Sequence, residues 1–128
     1  YGMRFAEYLE TANDQVTVIV QAEHIDAANN IEAILDIEGI DAIQLGPYDL
    51  SASLGKMGDI TDPEVTGAID RIIDACREKN IPVGYFGVDA AAIQPYREKG
   101  CSLLVAGVDT LFLGSRAKET LAEMKSAS

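Results

Sequence analysis

Val18-Ile19-Val20-Gln21-Ala22-Glu23 is a β-branched apolar run that breaks into polar side chains at its end, and its reading decides the fold. A nearly continuous apolar stretch of this length suits a strand covered on both faces. Three other runs resemble it, so strands are expected over residues 16–20, 40–45, 81–86 and 103–108. Between them, apolar residues recur three and four apart. Ala27, Ile31, Ile34 and Leu35 mark one helix; Val65, Ile69, Ile72, Ile73 and Cys76 mark a second. Shorter helices are expected over 91–99 and 117–125. Strands alternating with helices are βα units that feed a parallel sheet.

Boundary chemistry agrees. Asp62-Pro63 before Glu64 reads as an N-cap followed by proline at the first helical position. Gly39 and Gly100 stand where a helix should end before a strand resumes. The stretch from Leu45 through Gly46-Pro47-Tyr48-Asp49-Leu50-Ser51 reads as a strand end entering a loop. One domain over residues 1–128 is the simplest account, and it is an incomplete one. A closed (β/α) barrel takes eight units in about 250 residues, and four strands alone leave two open edges and an uncovered interior. An open doubly wound sheet usually has five or more strands, so the expected class is α/β with about four parallel βα units, a fragment or a half that needs a partner, taken here as half of a parallel (β/α) TIM barrel. The chain starts at Tyr1, which raises the expectation of further sequence upstream.

Twenty-one acidic residues against ten basic ones leave a net charge of −11 on 128 residues. Nucleic acid and anionic membrane are therefore poor partners, since phosphate is bound by clustered Lys and Arg. Cys76 and Cys101 lack metal-ligand spacing and read as small buried hydrophobes. No apolar run reaches the length of a membrane span and no leader pattern is visible, so the cytoplasm is the expected location.

In parallel α/β folds the carboxyl ends of strands carry the chemistry. Gln21 and Glu23, two apart, project to one side of the first strand. A carboxylate there must be paired, protonated, cation-bound or simply solvated. Gly46 and Pro47 let the next strand turn tightly and bring main-chain N–H groups toward a ligand, while Asp49 reaches the same mouth as Glu23. Two such carboxylates suit a hard divalent cation, Mg²⁺, Mn²⁺ or Co²⁺; an Asx-turn is the competing role for Asp49. His24, the only histidine, should face away from Glu23. Gly55, Gly58 and Gly87 make no dinucleotide fingerprint or P-loop, and no lysine ends a strand for Schiff-base chemistry.

Taken together, Gln21-Ala22-Glu23, Ala28-Asn29-Asn30, Gly39-Ile40-Asp41-Ala42, Gly46-Pro47-Tyr48-Asp49-Leu50-Ser51-Ala52-Ser53-Leu54-Gly55, Pro63-Glu64-Val65, Gly84 and Ala106-Gly107-Val108-Asp109 resemble the HpcH/HpaI aldolase family over residues 8–113. The resemblance is assigned to the carboxy-terminal half of that family's phosphoenolpyruvate/pyruvate-type barrel. It implies a metal-dependent (class II) pyruvate aldolase, a carbon–carbon lyase that cleaves a 4-hydroxy-2-oxo acid, such as a 2-keto-3-deoxy sugar acid, to pyruvate and an aldehyde. Glu23 and Asp49 would bind the metal and Gln21 the oxo acid. Main chain at Tyr48 and Asp49 would hold the substrate carboxylate, and Phe86 would form an apolar wall. The family's arginine and histidine base belong to the amino-terminal half, so no catalytic residue is assigned within this chain, and the fragment is expected to be inactive alone. His24 does not match that histidine. A missing amino-terminal half and, when complete, a homo-oligomer with exchanged carboxy-terminal helices are the implied partners. Competing functions are a citrate-lyase-type acyl-CoA lyase and a non-catalytic flavodoxin-like binding module.

Overall fold

The computed structural model describes residues 2–126; Tyr1, Ala127 and Ser128, the ends of the expected 1–128 domain, lie outside the described residues. Four strands, β1 (Ile19–Ala22), β2 (Ala42–Leu45), β3 (Val83–Gly87) and β4 (Leu103–Ala106), form one sheet in the order β1-β2-β3-β4. Every neighbouring pair is parallel. That order never reverses, whereas a flavodoxin-like sheet changes direction at its ligand-binding crevice. A partial (β/α) barrel accounts for this topology; four strands leave β1 and β4 as open edges.

Register sorts the strand residues into two faces. Ala22, Leu45, Tyr85 and Leu104 lie side by side, as do Val20, Ile43 and Val83, and all seven belong to or pack against the hydrophobic core. The opposite face carries Gln21, Gln44, Gly84, Phe86 and Val105, with Ile19 and Val105 exposed. Coverage on both faces, expected from the apolar runs, therefore holds for one face only. The helices bury one side of the sheet and leave the other to the site.

The helices comprise α1 (Phe5–Gln15, after a 3-10 turn at Gly2–Arg4), α2 (Ile25–Asn29), α3 (Ile31–Leu35), α4 (Pro47–Ser53), α5 (Pro63–Glu78), α6 (Ala90–Glu98) and α7 (Asp109–Ser126). In α5, Val65, Ile69, Ile72 and Cys76 are fully buried, and each such side chain taken from water stabilises the fold by about 1.5–3 kcal/mol. Asp62 caps α5 by accepting from the Glu64 N–H at 2.8 Å, and its carboxyl is held below the usual range by Lys56 and that N–H. The helix ends in a Schellman pattern, with Ile81 N–H bonding Cys76 O and Asn80 N–H bonding Arg77 O while Asn80 adopts φ +55. α6 repeats it, with Gly100 at φ +101 and Cys101 N–H on Tyr96 O. Both cysteines are buried, and burial pushes the Cys76 thiol up to about 11.

The structure departs from the expected elements in five places; the first strand, expected over 16–20, is β1 at Ile19–Ala22. The helix expected through Ala27 and Leu35 is broken at Asn30, whose side-chain Nδ2 donates to Asp26 O at 2.7 Å and competes with the helical ladder. The expected loop after β2 is the short helix α4, with Pro47 at its start. α7 begins at Asp109, eight residues before the expected 117. α1 was not legible in the sequence; it buries none of its residues. Among the described residues no helix is long and apolar enough to cross a membrane.

Candidate active site

The carboxyl ends of β1, β2 and β3 open on the uncovered face of the sheet. A cavity of ≈ 270 Å³ there is lined by Gln21, Gln44, Leu45, Gly46, Pro47, Tyr48, Asp49, Phe86 and Val105. All six residues expected to contact substrate, Gln21, Gly46, Pro47, Tyr48, Asp49 and Phe86, stand around this one space. Register supplies its layering. Gln21, Gln44 and Gly84 lie across the sheet as a floor. One pleat further on, Phe86 and Val105 pair as a wall, and Tyr48 meets Phe86 edge-on with ring centroids 6.2 Å apart.

Glu23 follows β1 and folds over Gly46, whose N–H bonds Ala22 O at 3.2 Å. A Cβ at Gly46 would sit 2.9 Å from Glu23 Cβ and 3.1 Å from its Oε2, so only glycine leaves the carboxylate its place. Asp49 lies in the first turn of α4, where Tyr48 and Asp49 also present main-chain N–H groups with no intrahelical acceptor. Among the described residues neither carboxylate has a hydrogen-bond or ion-pair partner. Asp49 does not form the Asx-turn that competed with a ligand role.

Two serines hold this segment rigidly. Ser51, fully buried, donates to Tyr48 O at 2.6 Å and accepts from Gly58 N–H at 3.0 Å. Ser53 donates to Leu50 O and accepts the Ile25 N–H at 3.0 Å. That last bond satisfies an orphan donor at the start of α2, two residues beyond Glu23, and so ties the segment bearing Glu23 to the helix bearing Asp49. His24 has a different task. Its Nδ1 accepts from the Asp26 N–H at 3.1 Å and caps α2. The same nitrogen lies 3.3 Å from Asp26 Oδ2, but an atom accepting an N–H cannot also donate to a carboxylate, so the cap is the contact that counts.

Oxygen donors without protein partners, beside a glycine that makes room for one of them, fit a hard divalent cation. Among the described residues no three or more His, Cys, Asp or Glu side chains cluster, so Glu23 and Asp49 could hold such an ion only with water or substrate completing its shell. Among the described residues no His, Lys or Arg lines the cavity. A larger hollow of ≈ 370 Å³ is lined only by residues between Met3 and Gln15, the surface of one helical segment, with no convergence of separate elements.

A family model described as HpcH/HpaI aldolase/citrate lyase matches residues 2–114. The 4-hydroxy-2-oxo-heptane-1,7-dioate aldolase of Escherichia coli is 41% identical over 119 residues, covering 93% of this chain and 45% of that protein. The hydroxypyruvate/pyruvate aldolase of Roseovarius nubinhibens is 34% identical, covering 93% of this chain and 46% of its own length. The crystal structure of an HpcH/HpaI aldolase/citrate lyase family protein from Burkholderia cenocepacia superposes with a TM-score of 0.91 at 40% identity, over 98% of this chain and 48% of that one. The chain spans about half the length of the curated relatives it matches. One expectation is corrected here: the likeness was assigned to a carboxy-terminal half only, whereas the match runs through residues 2–114, nearly the whole chain. With that extent and that sheet, the chain belongs to the HpcH/HpaI aldolase/citrate lyase family.

Proposed function

We propose that this chain supplies the cation-holding and oxo-acid-binding part of a class II aldolase that cleaves a 4-hydroxy-2-oxo acid to pyruvate and an aldehyde. The observation that carries the reading is the convergence of Gln21, Gly46, Pro47, Tyr48, Asp49 and Phe86 on one cavity, with Glu23 seated over Gly46 at its rim. Glu23 and Asp49 would hold Mg²⁺, Mn²⁺ or Co²⁺. When bound, the cation would act as a Lewis acid toward the 2-oxo oxygen and offset the negative charge that develops as the bond between carbons 3 and 4 breaks. The Tyr48 and Asp49 N–H groups orient the substrate carboxylate, and the Gln21 amide fixes the oxo acid against the floor. Phe86, edge-on to Tyr48, would form an apolar wall beside the carbon that receives charge. No histidine is among the described residues lining the cavity, and Asp49 is taken up by the cation, so the base for the 4-hydroxyl proton would come from a barrel half outside this chain, the complete protein assembling as a homo-oligomer.

The decisive measurement is pyruvate release from 4-hydroxy-2-oxo acids by the assembled enzyme. Release should stop on EDTA treatment and return with Mn²⁺, Mg²⁺ or Co²⁺; undiminished turnover without metal would sink the reading. Turnover of acyl-CoA thioesters in preference to oxo acids would move the assignment to the lyase branch of the family.

Ser53 offers a subtler test. Ser53→Ala removes the acceptor of the Ile25 N–H and should destabilise the protein by about 1 kcal/mol. Mn²⁺ affinity should fall severalfold, and Ser53→Thr should restore it. A loss of stability with Mn²⁺ affinity unchanged would show that this bond does not position Glu23.

A further inference from the structure

Gln44 is the one polar side chain on the cavity floor that is more than nine-tenths buried, at 9% relative exposure. Its amide is poorly matched. Oε1 has no hydrogen-bond partner among the described residues, and Nε2 has only a 3.5 Å contact with Leu45 O, at the outer limit of a hydrogen bond. A buried amide in that condition works against folding. It nevertheless has dedicated space, since Gly84 beside it in register lacks the Cβ that would collide with Oε1. The amide oxygen thus lies over Gly84 of β3, and Gln44 helps to line the cavity.

We propose that Gln44 is a specificity-determining residue, whose amide hydrogen-bonds a ligand hydroxyl and so makes the site select a hydroxylated 2-oxo acid over its deoxy counterpart. The assignment rests on the aldolase reading above. In that reading the ligand carboxylate meets main chain at Tyr48 and Asp49, and the oxo group meets Gln21 and the cation. Carbon 3 and its substituent are then left to the floor. A hydroxyl both donates and accepts, so it answers an amide whose oxygen and nitrogen are both under-used. A methyl group answers neither. A site built to hydrogen-bond a hydroxyl discriminates strongly against the analogue that lacks it.

The probes are hydroxypyruvate and pyruvate, which differ by one hydroxyl, each added to one fixed aldehyde by the assembled enzyme. The readout is the ratio of their kcat/KM values. In Gln44→Met, of similar length and with no amide, the hydroxypyruvate-to-pyruvate ratio should fall at least about tenfold; Gln44→Asn should give an intermediate ratio. An amide kept for a ligand also predicts that ligand-free Gln44→Met melts at or above the wild-type temperature. A ratio unchanged within about twofold, or a Gln44→Met protein that no longer folds, overturns the proposal and leaves the aldolase reading standing. Failure of the wild-type enzyme to use either oxo acid overturns both.

Discussion

Replacing Glu23 by glutamine is expected to lower the affinity for Mn²⁺ by at least about a hundredfold and aldol cleavage by about a thousandfold. The reasoning begins with charge. The chain carries a net −11, and many of its carboxylates are spent in exposed pairs, as in Arg71 with Glu32 and Lys99 with Asp70. Glu23 and Asp49 are in no such pair, and they stand beside one cavity. Glutamine keeps the size of Glu23, including its fit over Gly46, and removes only the anionic ligand. Cation affinity should therefore drop without loss of the fold. Asp49→Asn should behave alike, and the double variant should show little further loss, because either change already dismantles the pair. Asp26→Asn is the matched control, as it removes an exposed carboxylate three residues from Glu23 that caps nothing in the cavity. Titration of each variant with Mn²⁺, followed calorimetrically, separates the outcomes. Equal loss from Asp26→Asn would reduce the effect to general electrostatics; no loss from Glu23→Gln would remove Glu23 from the site.

Much of this site was legible in the sequence because strand ends obey simple geometry. A β-branched run that breaks at Gln21 turns that side chain to the cavity by the alternation of the strand, while Glu23, just past the end of β1, is carried over Gly46. The second run stops at Gly46-Pro47, and the chain must turn there. What escaped was structure whose signal is short or has no partner. α4 has seven residues, too few for helical periodicity, although Pro47 at the first helical position with Asp49 in the first turn repeats part of the start signal read at Pro63. α1 packs no residue into the core, so its sequence has no buried face to report. Gln44 was hidden in plain view. Within Ala42-Ile43-Gln44-Leu45 the core takes Ile43 and Leu45, and the same alternation turns Gln44 toward the cavity. Reading the segment as uniformly apolar lost the one residue whose polarity matters.

The same glycine-to-alanine change should have opposite effects at two positions, and the larger is at Gly84. Gly84→Ala is expected to destabilise the protein by about 3 kcal/mol, the upper end of overpacking costs. A methyl group there would meet Gln44 Oε1 and would lie 2.6 Å from the Leu103 carbonyl oxygen and 3.0 Å from Leu103 Cβ. The amide can swing aside, but the carbonyl belongs to β4 and cannot yield without disturbing the β3–β4 ladder. Conformation contributes nothing, since Gly84 does not occupy the left-handed region; the requirement is purely one of space. Gly67 is the counterpart. It lies inside α5, is exposed, and a Cβ there would meet nothing within 4 Å. Gly67→Ala should therefore stabilise by about 0.5–1 kcal/mol, because alanine loses less backbone freedom in a helix. Urea midpoints with unchanged slopes would measure both shifts. A loss below about 1 kcal/mol at Gly84, less than overpacking normally exacts, would mean that β4 can move away from β3. The cavity floor would then be less rigid than the selection of a ligand by Gln44 requires.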